Sequence, residues 1–163
     1  MAKVAVIMGS KSDFEAVKPA IDVLKSFGVE TDVRVISAHR TPDLAHDYAK
    51  SAEQNGVEVF ICAACKAAHL GGVIAAYTPL PVIGLPIKSS TMDGLDSLLS
   101  MVQMPSGIPV ACVAINGAQN AGLLAVQMLS LKYPELLEKM KNYKVEMAQK
   151  ISRDDAQLQK ELN

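Results

Sequence analysis

The sequence predicts an α/β protein in three layers: a five-stranded parallel sheet, helices on both of its faces, and an extra long helix at the C-terminus. Three observations point there. Five short apolar runs alternate with amphipathic segments along the chain, the pattern of parallel strands joined by crossover helices. Four of those runs are apolar almost without interruption, as strands buried on both faces must be. Half of the 163 residues are apolar, yet only 4% are aromatic and Trp is absent. A chain of this length can therefore build one domain on an aliphatic core of Val, Ile, Leu, Ala and Met.

Lys3 to Met8 is an apolar run ending at Gly9 and reads as a buried strand. Phe14, Val17, Ile21 and Leu24 recur at steps of three and four, one face of a helix running to Phe27. Val33 and Val35 alternate with Asp32 and Arg34, giving a half-exposed strand to about Ile36. Thr41-Pro42 reads as an N-cap with proline at the first helical position, and Gly56 stops that helix after Asn55. The alternation continues with a strand from Val57 to Ala63, a helix from Ala68 to Tyr77 and a strand from Pro81 to Leu85. A helix from Gly94 to Val102, a strand from Val110 to Ile115 and a helix from Ala118 to Leu131 complete it. No linker or composition shift divides the pattern. Pro134 then opens a charged helix with Leu136, Met140, Tyr143, Met147, Ile151, Leu158 and Leu162 at mostly three- and four-residue steps. About 28 helical residues would extend about 40 Å, longer than a small domain is wide. An isolated helix needs a surface to lie against, and packing partly on a neighbouring subunit is the favoured expectation over packing on its own domain alone.

Composition narrows the function. Sixteen basic and 17 acidic residues leave a net charge of -1, with no basic stripe of the kind nucleic acid requires. Three cysteines, Cys62, Cys65 and Cys112, lie in or beside apolar runs. An odd count without a paired framework suits a reducing compartment, so the expected location is the cytoplasm. Cys62 and Cys65 form a single C-x-x-C with no second ligand pair, a poor metal signal. Met1-Ala2-Lys3 leads straight into a strand and does not read as a signal peptide. The uncharged stretch from His69 to Ile87 is broken by Pro79, Pro81 and Pro86 and by Gly71, Gly72 and Gly84, which fits a helix, turn and strand better than a membrane span.

In a doubly wound sheet, ligands bind beyond the carboxyl ends of the strands. That rule selects five loops: 9–13, 37–42, 64–68, 86–93 and 116–119. In the first, Gly9 permits a tight turn, Ser10 and Ser12 offer hydroxyls, and the helix start offers N–H groups to an anion. Asp13 either accepts from ribose hydroxyls or caps the helix. In the second, His39 stands beside Arg40. Arg clamps phosphate with two donors, and His exchanges protons near neutral pH. His69 either orients a ligand or sits at a helix entrance. His46, inside the second helix, reads as a surface residue. Ser89 to Ser97 is a hydroxyl-rich loop entering a helix, where capping is the plain alternative to binding.

Five segments together resemble the N5-carboxyaminoimidazole ribonucleotide mutases of purine biosynthesis, the PurE family in its bacterial mutase type, class I. They are Met8-Gly9-Ser10-Lys11-Ser12-Asp13, Ser37 to Pro42, Ala67 to Leu70, Gly94-Leu95-Asp96-Ser97-Leu98 and Val102-Gln103-Met104-Pro105. The resemblance implies a flavodoxin-like fold, with residues 1–133 as the catalytic domain and 134–163 as a helical extension used in oligomer packing. It also implies a homo-octamer and a small-molecule ribonucleotide substrate, with no cofactor, no metal, no nucleic acid and no membrane. His39 resembles the catalytic acid/base. Ser10, Asp13 and Arg40 resemble substrate-binding residues, Ser12, Ser37 and Ala38 line the same pocket, and Cys65, Lys66, His69 and Leu70 join that substrate-binding set. The Ala-Ala-His-Leu piece resembles the mutase rather than the related class that carboxylates aminoimidazole ribonucleotide with free carbon dioxide. Where the family carries a glycine-rich run before Ala67, this chain has Cys65-Lys66. A left-handed backbone at Cys65 would cost about 1–2 kcal/mol.

Two other functions compete with an isomerase that works by decarboxylation and recarboxylation. A flavin carrier needs aromatic residues to sandwich its cofactor, and none lies in the five loops. A non-catalytic nucleotide-binding oligomer needs the same pocket without the chemistry. A phosphoacceptor receiver fits poorly, because the third strand ends in Ala and Cys rather than Asp.

Overall fold

A computed structural model describes residues 1–162; Asn163, the last residue of the expected extension, lies outside them. The strands are β1 Lys3–Met8, β2 Glu30–Val35, β3 Val59–Ala64, β4 Val82–Pro86 and β5 Ala111–Cys112. The helices are α1 Phe14–Ser26, α2 Pro42–Ser51, α3 Leu70–Tyr77, α4 Leu95–Val102, α5 Ala118–Ser130 and α6 Pro134–Leu162. All pairings are parallel and the strand order is β2-β1-β3-β4-β5.

Side-chain alternation sorts the core into two layers. Val4, Val6 and Met8 of β1 face α1, α5 and the start of α6, while Ala5 and Ile7 face α2, α3 and Met101 of α4. A strand with helices on both sides must be apolar at every position, and β1, β3 and β4 are buried throughout apart from Lys3. β2 is one of the two edge strands, with Val33 and Val35 exposed. Cys62 and Cys65 pack in opposite layers, as an odd spacing along extended chain dictates. All three cysteines are free.

The helix ends follow the glycines. At Gly28, φ is 78°, Val29 N–H donates to Leu24 O and Gly28 N–H donates to Lys25 O, the doubled bond of a Schellman cap. Gly56 repeats it, with Val57 N–H on Ala52 O and Gly56 N–H on Glu53 O. The expected stop at Gly56 is therefore present, although regular α-helix gives way to tighter turns after Ser51.

Four expectations need correction. Thr41 does not cap α2 through its side chain; its hydroxyl turns back to donate to Ser37 O and accept from Ser37 N–H. Ala68 and His69 form a turn before α3, which starts at Leu70. Gly94 lies outside α4 with φ 97°, and a Cβ there would sit 2.8 Å from Ile115. β5 is shorter than the apolar run, because Gly117 N–H donates to Ala114 O and Asn116 turns left-handed with φ 56°, bending the chain off the sheet.

α6 runs for 29 residues. Its first turns join the core through Leu136 and Met140, and Tyr143 packs against Phe27 with ring centroids 5.9 Å apart. Beyond that point Val145, Met147, Ile151, Leu158 and Leu162 are exposed on the single chain. Among the described residues no helix is long and apolar enough to cross a membrane.

Candidate active site

Strand order decides where the site forms. β1 is flanked by β2 and β3, and the chain leaves β1 toward α1 on one face but leaves β2 and β3 toward the other. The loops part at that switch point and a crevice opens between them. A cleft of 260 Å³ fills it. The loop after β1 contributes Gly9, Ser10 and Asp13, and the loop after β2 contributes Ser37, Ala38, His39 and Arg40. From the β3 side come Ala64, Cys65, Ala67 and Leu70. Three of the five strand-end loops thus meet at one cleft. The other two brace each other beside it, with Asn116 Oδ1 accepting from Lys88 N–H at 2.9 Å.

The first loop is tied from within. Ser10 Oγ accepts from Ser12 N–H at 3.3 Å and from Ser12 Oγ at 2.8 Å, which leaves Ser12 off the cleft wall. Asp13 sits where an N-cap would be but makes no capping bond. Its side chain is buried at 6% exposure, and Oδ2 has no hydrogen-bond partner among the described residues. Burial raises its carboxyl above the ordinary 3.8, and the neighbouring Ser12 hydroxyl partly offsets that. A buried acceptor on a cleft wall is ready for a ligand hydroxyl, and in the free chain it is a source of instability.

The second loop closes on Ser37. Thr41 N–H donates to Ser37 O at 2.8 Å, and Arg40 N–H donates to Ser37 Oγ at 3.1 Å. Arg40 Nη2 reaches across to Gly9 O at 3.0 Å, so the guanidinium lies between the first two loops with donors to spare for an anion. His39 projects from the apex of this turn. Its Nε2 lies 3.0 Å from Nδ1 of His69, with the rings edge-on. His69 is in the turn that enters α3 and does not line the cleft itself.

The third loop carries the departure from a glycine-rich run. The left-handed residue is Lys66, φ 58°, not Cys65. Two hydroxyls of α4 hold it there: Ser97 Oγ accepts from Lys66 N–H at 2.8 Å and Ser100 Oγ donates to Lys66 O at 3.3 Å. The Lys66 side chain is exposed and off the cleft wall. The Cys65 thiol is raised by burial and further by the charge of Asp13, which makes it a poor nucleophile. Among the described residues no three His, Cys, Asp or Glu converge as a metal ligand set.

Sequence reasoning left out Gly9 O as the anchor for Arg40, and Ser97 as the anchor for Lys66. Ser97 had a readable signal: it lies four residues before Met101 on the face of α4 that turns inward, and a hydroxyl on a buried face needs a partner. The carbonyl of Gly9 offers no such signal.

Comparison with known proteins agrees with this architecture. The family model described as AIR carboxylase matches residues 3–150. N5-carboxyaminoimidazole ribonucleotide mutase of Pyrococcus abyssi is 58% identical over 147 residues, covering 90% of this chain and 84% of that protein. The enzyme of the same name from Thermotoga maritima is 53% identical over 151 residues, covering 93% and 88%. The crystal structure of Treponema denticola PurE superposes with a TM-score of 0.89 at 33% identity, covering 97% of this chain and 99% of that one. The chain belongs to the AIR carboxylase family.

Proposed function

We propose that the protein is an isomerase of purine biosynthesis that converts N5-carboxyaminoimidazole ribonucleotide to 4-carboxy-5-aminoimidazole ribonucleotide. The observation that carries this reading is the junction of His39 and Arg40 with the Ser10–Asp13 loop on one small cleft. Arg40 and the first loop hold the phosphoribosyl group, Asp13 accepts from a ribose hydroxyl, and Ser37, Ala38, Cys65 and Leu70 shape the pocket around the base. His39 as imidazolium donates a proton to the carbamate nitrogen while the nitrogen–carbon bond breaks and carbon dioxide leaves. The pocket retains the carbon dioxide, and ring carbon 4 bonds to it. Neutral His39 then removes the proton from carbon 4, which restores the imidazolium, so no net proton is gained or lost. Acid–base transfer of this kind contributes about 10²–10⁴ in rate, and confining the carbon dioxide beside the ring adds an orientation advantage. None of these steps calls on a metal or cofactor.

Residues 1–133 act as the catalytic domain in this reading. The exposed apolar series of α6 from Val145 onward supports a role for residues 134–163 in assembling an oligomer, taken as an octamer. Free cysteines suit a cytoplasmic location. The family description, AIR carboxylase, favours one second reading, direct carboxylation of aminoimidazole ribonucleotide by carbon dioxide. Incubation with each substrate separates them. The mutase reading expects rapid formation of the carbon-carboxylated product from the carbamate, without ATP, biotin or added carbon dioxide. Turnover confined to aminoimidazole ribonucleotide plus carbon dioxide would replace it with the carboxylase.

A further inference from the structure

The meeting of His39 and His69 adds a residue to the mutase reading, on which this inference rests. The backbone around His39 is held by Ser37 and Thr41, but its imidazole is exposed, and within hydrogen-bond range its Nε2 has His69 Nδ1 at 3.0 Å. The backbone of His69 is held in its turn, although its ring is exposed as well. Ala68 and Leu70 on either side are buried, His69 N–H donates to Ala67 O, and His69 O accepts from Val73 N–H in the first turn of α3. The His69 ring caps nothing and stands off the cleft wall.

Two imidazoles joined nitrogen to nitrogen hold one proton between them, so one ring donates and the other accepts. The two directions differ for catalysis. If His69 Nδ1–H donated, neutral His39 would carry its own proton on Nδ1 and its lone pair would be spent on the bridge. It could not act as a base without breaking that bond. If His39 Nε2–H donates, the bridge persists whether Nδ1 is bare or protonated. We infer that His69 is a positioning residue that accepts from His39 Nε2–H, fixes the tautomer and ring orientation of His39, and leaves Nδ1 to exchange protons with the substrate. The proton given to the carbamate nitrogen and the proton recovered from carbon 4 both pass through Nδ1, and the bridging proton stays on Nε2. As His39 becomes an imidazolium its bond to His69 becomes charge-assisted and shortens, so the support is strongest when the charge forms. A buried carboxylate does the same for the base of a Ser-His-Asp triad; here the acceptor is neutral.

The test combines ring-nitrogen spectra with kinetics on the full-length protein. Long-range proton–nitrogen correlation spectra in alkaline buffer, where imidazoles are neutral, read each tautomer without substrate. His46, bonded to Asp47 on α2, serves as the internal control. His39 should be the Nε2–H tautomer in the wild type and in His69→Asn, whose amide oxygen stands near the lost Nδ1. It should be a mixture in His69→Leu. The Leu variant should lose about 10-fold or more in kcat with KM within about threefold, and the Asn variant should recover to within about fivefold of wild type. If the Leu variant does not fold, His69→Gln, whose amide reaches one bond too far, should show the same loss. An Nδ1–H tautomer for wild-type His39 overturns the inference. So does a Leu or Gln variant with unchanged kcat, or one that raises KM alone, which would make His69 a substrate contact. A wild type that fails to turn over the carbamate defeats the mutase reading instead, and the spectra still decide the pairing.

Discussion

Asp13→Asn should make the unliganded protein more stable while weakening its hold on the nucleotide. Asp13 is 6% exposed and its Oδ2 is unpartnered among the described residues. Leaving a buried polar group unpaired costs about 1–3 kcal/mol, more when it is charged. The neutral isostere leaves a polar atom in the unpartnered position but removes its charge at nearly constant volume, so a gain of at most about 1 kcal/mol follows. In a domain of this size that raises Tm by at most about 2–4 °C. The pH dependence supplies a second check. Burial raises the folded-state carboxyl above 3.8, so as pH rises past that value the folded chain holds the proton longer than the unfolded chain. Stability from this group is therefore present at low pH and lost as pH rises through the folded value. The gap between variant and wild type should be widest at neutral pH and narrow as pH is lowered toward 3.8. Thermal unfolding across that range measures it, and calorimetric titration with the nucleotide should show weaker binding by the variant. An Asn variant that melts at or below wild type at neutral pH would refute the claim that the site stores instability in this carboxylate.

Other outcomes follow from the same geometry. Arg40→Ala should mainly raise KM, because attraction to phosphate is felt in ground and transition states alike; an equal fall in kcat at constant KM would contradict that. Ser97→Ala should lower Tm by about 2–4 °C for each kcal/mol lost, because it frees the left-handed Lys66 from its partner; an unchanged Tm would show that the loop holds itself. Deleting residues 145–163 keeps Leu136 and Met140 in the core and should lower the particle mass seen by light scattering, whereas a monomeric wild type at micromolar concentration would end the oligomer reading. Activity should survive a strong chelator, and loss restored by a divalent metal would contradict the acid–base mechanism.

Much of the fold was legible because strand burial leaves a local trace. Val4 to Met8 and Val59 to Ala64 are apolar at every position because helices cover both faces, and Gly28 and Gly56 end their helices by a backbone geometry that favours glycine. What was not legible depends on contacts distant in sequence. Nothing near Thr41 says that its hydroxyl will turn back to Ser37 rather than cap α2. The run from Val110 to Ile115 does not announce that Asn116 will bend it off the sheet. At the site, residue types at strand ends singled out His39, Arg40 and Asp13, and all three line one cleft. The His39–His69 contact spans 30 residues and the Lys66–Ser97 contact 31. Only the folded order of β2, β1 and β3 brings the first pair together, and α4 supplies the second.

The most direct measurement of the central claim is the pair of steady-state constants for His39→Asn with N5-carboxyaminoimidazole ribonucleotide. Asparagine keeps some hydrogen bonding near the cleft but cannot accept and return a proton. If His39 carries both proton transfers, kcat falls by at least about 10²-fold while nucleotide binding persists. Turnover within a few-fold of wild type would place the proton carrier elsewhere and contradict the account.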